Sequence, residues 1–132
     1  MCSTDNGVEV AWRKHVAAFE TRDISKMMEI FDEDCVFTVY NQSTGEKEVF
    51  EGAPEIREDM CRRILISDDS DIEFPLSEIS EKNKIVFVVW RNVASGILDA
   101  TSTMIFNDKF KVAMQYLVIR MAESKESPDN MC

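Results

Sequence analysis

His15 has the clearest capacity for chemistry, because it is the only histidine and it lies on an apolar stripe. Val8, Trp12, Val16 and Phe19 recur with it at the spacing of one helix face. An imidazole can hold or move a proton near physiological pH, so His15 could act as an acid, a base or a ligand contact. The sequence favours a simpler role, a partly buried histidine hydrogen-bonded to a backbone carbonyl or a carboxylate, and leaves the chemical role open.

The cysteines and one acidic run do not form a recognisable metal site. Cys2, Cys35, Cys61 and Cys132 contain no C-x-x-C pair, and the single histidine does not complete a zinc site. Cys35 and Cys61 lie in apolar segments and are expected to be small core side chains. The run 68–71 lacks the glycine and distal glutamate of a calcium loop, which favours a solvated linker. We therefore predict no metal and no cofactor.

Aromatic and apolar side chains could line a pocket for an apolar small molecule. Filling of an ordinary core by the same side chains is the alternative, since aromatic residues dominate cores. Side chains alternate between the two faces of a strand, so only one of Gln115 and Tyr116, which are adjacent in the last strand, can face a pocket. By the same rule, Asp99 is expected to point to the opposite face of its strand from Ser102. The predicted ligand-binding residues are Trp12, Phe19, Phe37, Val39, Asn41, Trp90, Ser102 and Met104.

Helical and alternating patterns predict the elements that must position these residues. One helix starts near Val8, a second runs from Asp23 through Phe31 and ends at the acidic residues 32–34, and a third starts at Pro54. Six strands are predicted, at 35–41, 47–51, 72–80, 85–94, 97–106 and 111–121. The later strands follow one another through tight turns, which is typical of an antiparallel meander. Apolar residues occupy both strand faces, so helices could cover one face and a dimer partner the other.

Length and charge limit the class of protein. The 132 residues predict one domain at 8–121 with flexible ends at 1–7 and 122–132. A net charge of -10 disfavours binding to nucleic acid and to anionic membranes. No apolar run reaches the roughly 18 residues of a membrane span, and the N-terminus lacks the pattern of a secretion signal. A cytoplasmic protein is the expectation.

The segments 16–19, 23–24, 28–37 and 52–57, in this order of elements, resemble the nuclear transport factor 2-like superfamily. Within it, they are most similar to the SnoaL-like and ketosteroid-isomerase-like branch. The resemblance covers residues 8–121 and implies an α+β, cystatin-like cone, in which a curved antiparallel sheet wraps around N-terminal helices. It implies a pocket inside the cone and homodimers through the outer sheet face. It does not select a function, since the superfamily contains isomerases, dehydratases, epoxide hydrolases, cyclases, transport factors and oligomerisation modules.

The same resemblance tests one chemistry directly. Ketosteroid isomerases use a tyrosine donor on the first helix, a carboxylate base on the first strand and a protonated aspartic acid on the penultimate strand. The resemblance places His15, Val39 and Ser102 at these positions. A neutral imidazole N–H could still donate, but a valine cannot move a proton. Steroid-type isomerisation by that mechanism is therefore not expected.

Three hypotheses of function follow, and whether the protein is an enzyme stays open. The first is a small-molecule-binding protein with an apolar pocket and no complete catalytic set. The second is an acid–base enzyme (an isomerase, dehydratase or cyclase) that uses His15. The third is a dimeric interaction module with a filled cone. A hollow cone with a carboxylate beside His15 would favour the enzyme, a hollow cone without one would favour binding, and a closed core would favour the module.

Overall fold

The structure is a computed structural model that describes residues 7–66 and 72–122. Its helices are α1 (Val8–Thr21), α2 (Ile24–Met28) and α3 (Ala53–Ile66). Its strands are β1 (Phe31–Asn41), β2 (Glu46–Glu51), β3 (Glu73–Ser80), β4 (Ile85–Asn92), β5 (Ile97–Phe106) and β6 (Val112–Met121), with a 3-10 turn at Val93–Ser95. Within these described ranges, no helix has the length and apolar character that crossing a membrane requires. The predicted linker 68–71 and nearly all of the two predicted flexible ends, with Cys2 and Cys132, lie outside the described residues.

Helix α1 is anchored at its start by a distant carboxylate. The backbone N–H groups of Val8 and Glu9 donate to the two oxygens of Glu81, each at 2.9 Å. These N–H groups have no partner within the helix, so Glu81 caps α1 from the β3–β4 turn. Gly7 precedes the helix at φ 141°, where a Cβ atom would lie 3.3 Å from the Glu81 carboxylate oxygens. This contact fixes α1, and the residues on its inner face, against the sheet.

The second helix is shorter than the sequence predicts. Asp23 caps it as expected, with its carboxylate accepting from the Lys26 N–H at 3.1 Å, but the helix ends at Met28. Phe31 already belongs to β1 and pairs with Val112 of β6, so the acidic residues 32–34 lie on a strand and not at a helix end. Acidic side chains are unfavourable at a helix C-terminus. These residues belong instead to β1, which pairs with the remote strand β6.

Two predicted strand ends are also corrected by local side-chain hydrogen bonds. Strand β4 stops at Asn92 and does not continue to residue 94, because the Asn92 side chain accepts from the Ser95 N–H at 3.3 Å and caps the 3-10 turn. Strand β6 starts at Val112 and not at residue 111, because the Asn107 side chain accepts from the Lys111 N–H at 3.1 Å in the preceding turn. In each case, a polar side chain competes with the strand for the backbone.

The six strands form one sheet in the order β2-β1-β6-β5-β4-β3. Strands β3 to β6 form the predicted antiparallel meander, β1 and β2 form a hairpin, and a parallel pairing of β1 with β6 joins the two parts. The helices pack on the concave face of this curved, open sheet, where the core lies between them. The α+β cone is therefore confirmed.

Candidate functional site

The cone is hollow. A cavity of about 450 Å³ lies between α1, α3 and the concave face of the sheet. Its wall includes His15 and seven of the eight predicted pocket residues: Trp12, Phe19, Phe37, Asn41, Trp90, Ser102 and Met104. Val39, the eighth, is buried in the core and is not part of this wall. It lies on β1 between Phe37 and Asn41, whose longer side chains reach the cavity surface.

His15 is enclosed by aromatic rings on the inner face of α1. Its side chain is buried, with 3% of the residue exposed. The imidazole meets Phe19 edge-on at a centroid distance of 4.9 Å and Phe31 edge-on at 5.7 Å, and Trp12 lies 6.1 Å away. This apolar surrounding disfavours a charged imidazole.

The protonation of His15 follows from its burial and from one hydrogen bond. Burial lowers the pKa of His15 to about 4, and a hydrogen bond to the Met27 backbone offsets part of that effect. The imidazole is therefore neutral at pH 7. The backbone carbonyl can only accept, so the nitrogen that faces Met27 carries the proton. Nδ1 has no partner, which leaves Nε2–H as the donor and a free lone pair on Nδ1.

The sheet contributes further polar groups to the cavity. Gln115 of β6 is buried, lies between Phe37 of β1 and Met104 of β5 in the strand register, and has an unpartnered Oε1 atom. Ser102 of β5 accepts a hydrogen bond from the Trp90 indole N–H at 3.0 Å. The choice between Gln115 and Tyr116 is thus made in favour of Gln115, and Tyr116 faces outward.

No aspartate or glutamate lines the cavity within the part of the chain that the structure describes. Asp99 is not part of the cavity wall, whereas Ser102 is, as the predicted alternation requires. It forms an ion pair with Arg120 at 2.6 Å, and both side chains are about half exposed. Residues 7–66 and 72–122 also contain no group of three or more histidine, cysteine, aspartate or glutamate side chains that could hold a metal ion. The site can therefore bind and orient a molecule, but its described wall supplies no carboxylate base.

Sequence reasoning missed Asn92 and did not choose Gln115. The signal for Gln115 is its position two residues before Leu117 and four before Ile119, both of which line the cavity. Asn92 is buried at the end of β4 and lines the cavity. It was missed because the sequence predicted that the strand continues to residue 94, and nothing in the pattern marked this polar residue as buried. Cys35 is a core side chain as predicted, whereas Cys61 is only half-buried.

These features define an α+β cone with a partly open, mostly apolar cavity and a few buried polar groups on its wall. Residues 12–117 match the SnoaL-like domain family. The chain belongs to this family. No curated protein matches the sequence at a significant level.

Several solved structures share the fold at low sequence identity. A protein of unknown function with a cystatin-like fold from Methylobium petroleophilum PM1 has a TM-score of 0.68 at 14% identity, over 89% of this chain and 78% of that one. A steroid delta-isomerase from Pseudomonas aeruginosa has a TM-score of 0.67 at 15% identity, over 86% and 79%. A SnoaL-like protein of unknown function from Burkholderia thailandensis e264 has a TM-score of 0.67 at 11% identity, over 85% and 93%. At such identities, the similarity shows the fold alone.

Proposed function

We propose that this protein binds an apolar small molecule in the cavity between α1 and the concave face of the sheet. The observation that carries the proposal is the hollow cone itself, a cavity of about 450 Å³ lined by mostly apolar side chains. Ligand pockets of proteins commonly measure 300–1,000 Å³ and combine an apolar wall with a few polar groups. A filled cone would have favoured the interaction module instead.

The surroundings of His15 favour binding over acid–base catalysis. A general base works best when its pKa lies near the working pH, whereas burial lowers the pKa of His15 to about 4. The imidazole N–H is also used by the Met27 carbonyl, and no described carboxylate lines the cavity. A role of His15 as a hydrogen-bond acceptor for a ligand agrees with all three observations.

A cavity-filling variant tests the proposal. The neutral fluorophore N-phenyl-1-naphthylamine serves as the probe, with its affinity measured by calorimetry and by its emission. Met104→Trp places a larger side chain in the cavity wall, and we expect at least tenfold weaker binding. Met114→Trp is the matched control, because Met114 lies on the outer face of the neighbouring strand β6 and is exposed. Equal affinity in the two variants, with circular dichroism unchanged, would contradict a ligand site inside the cone.

We also propose that two copies of the chain associate through the outer sheet face. Tyr40 of β1 and Met114 and Tyr116 of β6 are exposed there, on paired strands in the middle of the sheet. Exposed apolar surface of this kind is typical of an interface. The cytoplasmic location stays a prediction of the sequence.

A further inference from the structure

The two buried side-chain atoms without a partner in the described structure are His15 Nδ1 and Gln115 Oε1, on two residues that line the same cavity. Each is a hydrogen-bond acceptor. We propose that the cavity selects an apolar molecule that carries a hydrogen-bond donor, a hydroxyl or an N–H group, over the same skeleton with only a carbonyl or an ether. This inference rests on the proposed function, since it specifies the class of molecule that enters the cavity.

The orientation of His15 directs its free nitrogen away from α2. Nε2 is directed towards Met27 on α2, and no residue of α2 lines the cavity. The two ring nitrogens point away from each other, so Nδ1 is directed away from α2. His15 also borders a separate crevice of about 610 Å³, but Lys26 and Glu29 place that crevice on the side of α2. Nδ1 therefore lies on the side of the ring opposite α2, and His15 itself forms part of the cavity wall.

Gln115 supplies the second acceptor from the opposite wall of the cavity. It lies on the inner face of β6 with Leu117 and Ile119, whereas His15 lies on α1. A buried acceptor without a partner loses its hydration and gains nothing in return, which costs about 1–3 kcal/mol. A ligand that donates to either atom removes that cost, and a ligand that only accepts does not.

The remaining polar groups on the wall do not reverse this preference. The Trp90 indole N–H is a donor, but the Ser102 oxygen already accepts from it at 3.0 Å. The Ser102 hydroxyl can rotate and can meet a donor or an acceptor equally well. The Asn92 side-chain oxygen accepts from the Ser95 N–H. The carboxamide N–H groups of Asn41, Asn92 and Gln115 on the wall can donate to a ligand oxygen, which an alcohol and a ketone both offer. The two ligands therefore differ only in whether they can donate to the unpartnered acceptors, His15 Nδ1 and Gln115 Oε1.

The free group of His15 is an acceptor, whereas the resemblance implies a donor at this position. A ketosteroid-isomerase tyrosine at the place of His15 would donate to an oxygen of the ligand. Here the imidazole N–H is used by the Met27 carbonyl, so the expectation that His15 could keep a donor role is not supported. A ketone should therefore bind less well than the corresponding alcohol.

A matched pair of probes tests the selection. Cyclododecanol and cyclododecanone share one apolar ring and differ in whether oxygen can donate. Their binding can be followed by intrinsic fluorescence, because both tryptophans of the chain, Trp12 and Trp90, line the cavity. We expect the alcohol to bind about tenfold more tightly than the ketone, a factor that corresponds to ~1.4 kcal/mol.

Variants separate the two acceptors. Gln115→Met keeps the length of the side chain and removes the amide, and His15→Phe keeps an aromatic ring and removes Nδ1. Each should lower the ratio of the alcohol affinity to the ketone affinity severalfold. Tyr116→Phe is the control, since Tyr116 is next to Gln115 but on the outer face, and it should leave the preference unchanged.

A spectroscopic readout reports the hydrogen bond itself. The chain has one histidine, so its imidazole nitrogens give one pair of ¹⁵N resonances. The unprotonated resonance should be Nδ1, and it should move when the alcohol binds and stay in place when the ketone binds. Equal or tighter binding of the ketone, or an unchanged Nδ1 resonance with bound alcohol, would overturn the donor selection and leave the proposed function intact. No binding of either probe or of N-phenyl-1-naphthylamine would overturn the proposed function and the donor selection with it.

Discussion

The Trp90 indole N–H donates to the Ser102 hydroxyl at 3.0 Å, between the adjacent strands β4 and β5 and on the wall of the cavity. The bond restrains the plane of the half-buried indole ring, which also packs against the core. It also occupies the indole N–H, so this donor is not offered to a ligand in the cavity.

Removal of the Ser102 hydroxyl should loosen Trp90. We expect Ser102→Ala to lower the free energy of unfolding by about 1 kcal/mol, because the indole N–H loses its partner. The tryptophan emission should shift at the same time, which steady-state fluorescence measures. Thr103→Ala, one residue along and on the other face of β5, should leave the emission unchanged. An unaltered spectrum for Ser102→Ala would show that the bond does not hold the ring.

The neutral state of His15 predicts a loss of stability in mild acid. In the unfolded chain, His15 gains a proton below its ordinary pKa of 6.5, whereas burial keeps the folded imidazole neutral until a pKa of about 4. Stability should therefore fall as the pH drops through this window, by about 2 kcal/mol between pH 7.5 and pH 5. Urea unfolding at the two pH values should show this loss in the wild type and its absence in His15→Gln. Parallel losses in both proteins would contradict a lowered pKa.

Glu81 should stabilise α1 from outside the helix. Hydrogen bonds from the Glu9 and Val8 backbone N–H groups lower the pKa of the Glu81 carboxyl below its ordinary value of 4.5. This contribution is complete above that ordinary value and is lost as the pH falls through the lower folded pKa. We expect Glu81→Ala to cost about 1 kcal/mol at pH 7, as the loss of a helix cap does. The control is Glu78→Ala, on the exposed part of β3, and thermal unfolding that ranks the two variants equally would refute the cap.

The two described cysteines should differ in reactivity. Burial, with a smaller effect of the Asp32 charge, raises the pKa of the Cys35 thiol to about 12, so roughly 10⁻⁴ of it is thiolate at pH 8. Cys61 is half-buried. In a background of Cys2→Ser and Cys132→Ser, iodoacetamide should label Cys61 at least tenfold faster than Cys35, as followed by mass spectrometry of peptides. Similar rates would mean that the core around Cys35 opens readily.

The proposed homodimer makes a prediction about the outer sheet face. Tyr116→Glu places a charge at an exposed aromatic position of β6, and two-fold symmetry would bring that charge into the interface from both copies. We expect the wild type to sediment as a dimer at micromolar concentration and this variant to sediment as a monomer. Val93→Glu, at an even more exposed position in the 3-10 turn, should remain dimeric. A monomeric wild type would exclude this assembly.

The sequence by itself determined the elements whose signals are local. The stripe of Val8, Trp12 and His15 repeats at helical spacing, and α1 begins at Val8 as predicted. The strand 97–106 alternates between two turns and is observed with the predicted ends. Asp23 is followed by a helix that it caps. Such patterns are readable because they depend on neighbours within a few residues along the chain.

Only the tertiary structure decided the features that depend on distant partners. Phe31 is in a strand because Val112 pairs with it, which extends β1 beyond its predicted start. Gln115, not Tyr116, faces the cavity because the helices cover that face of β6. The N–H of His15 is on Nε2 because the Met27 carbonyl lies beside it, and this leaves the other nitrogen as an acceptor. Hydrogen bonds and burial between remote segments have no signature in a local pattern, and here they set the polarity of the site.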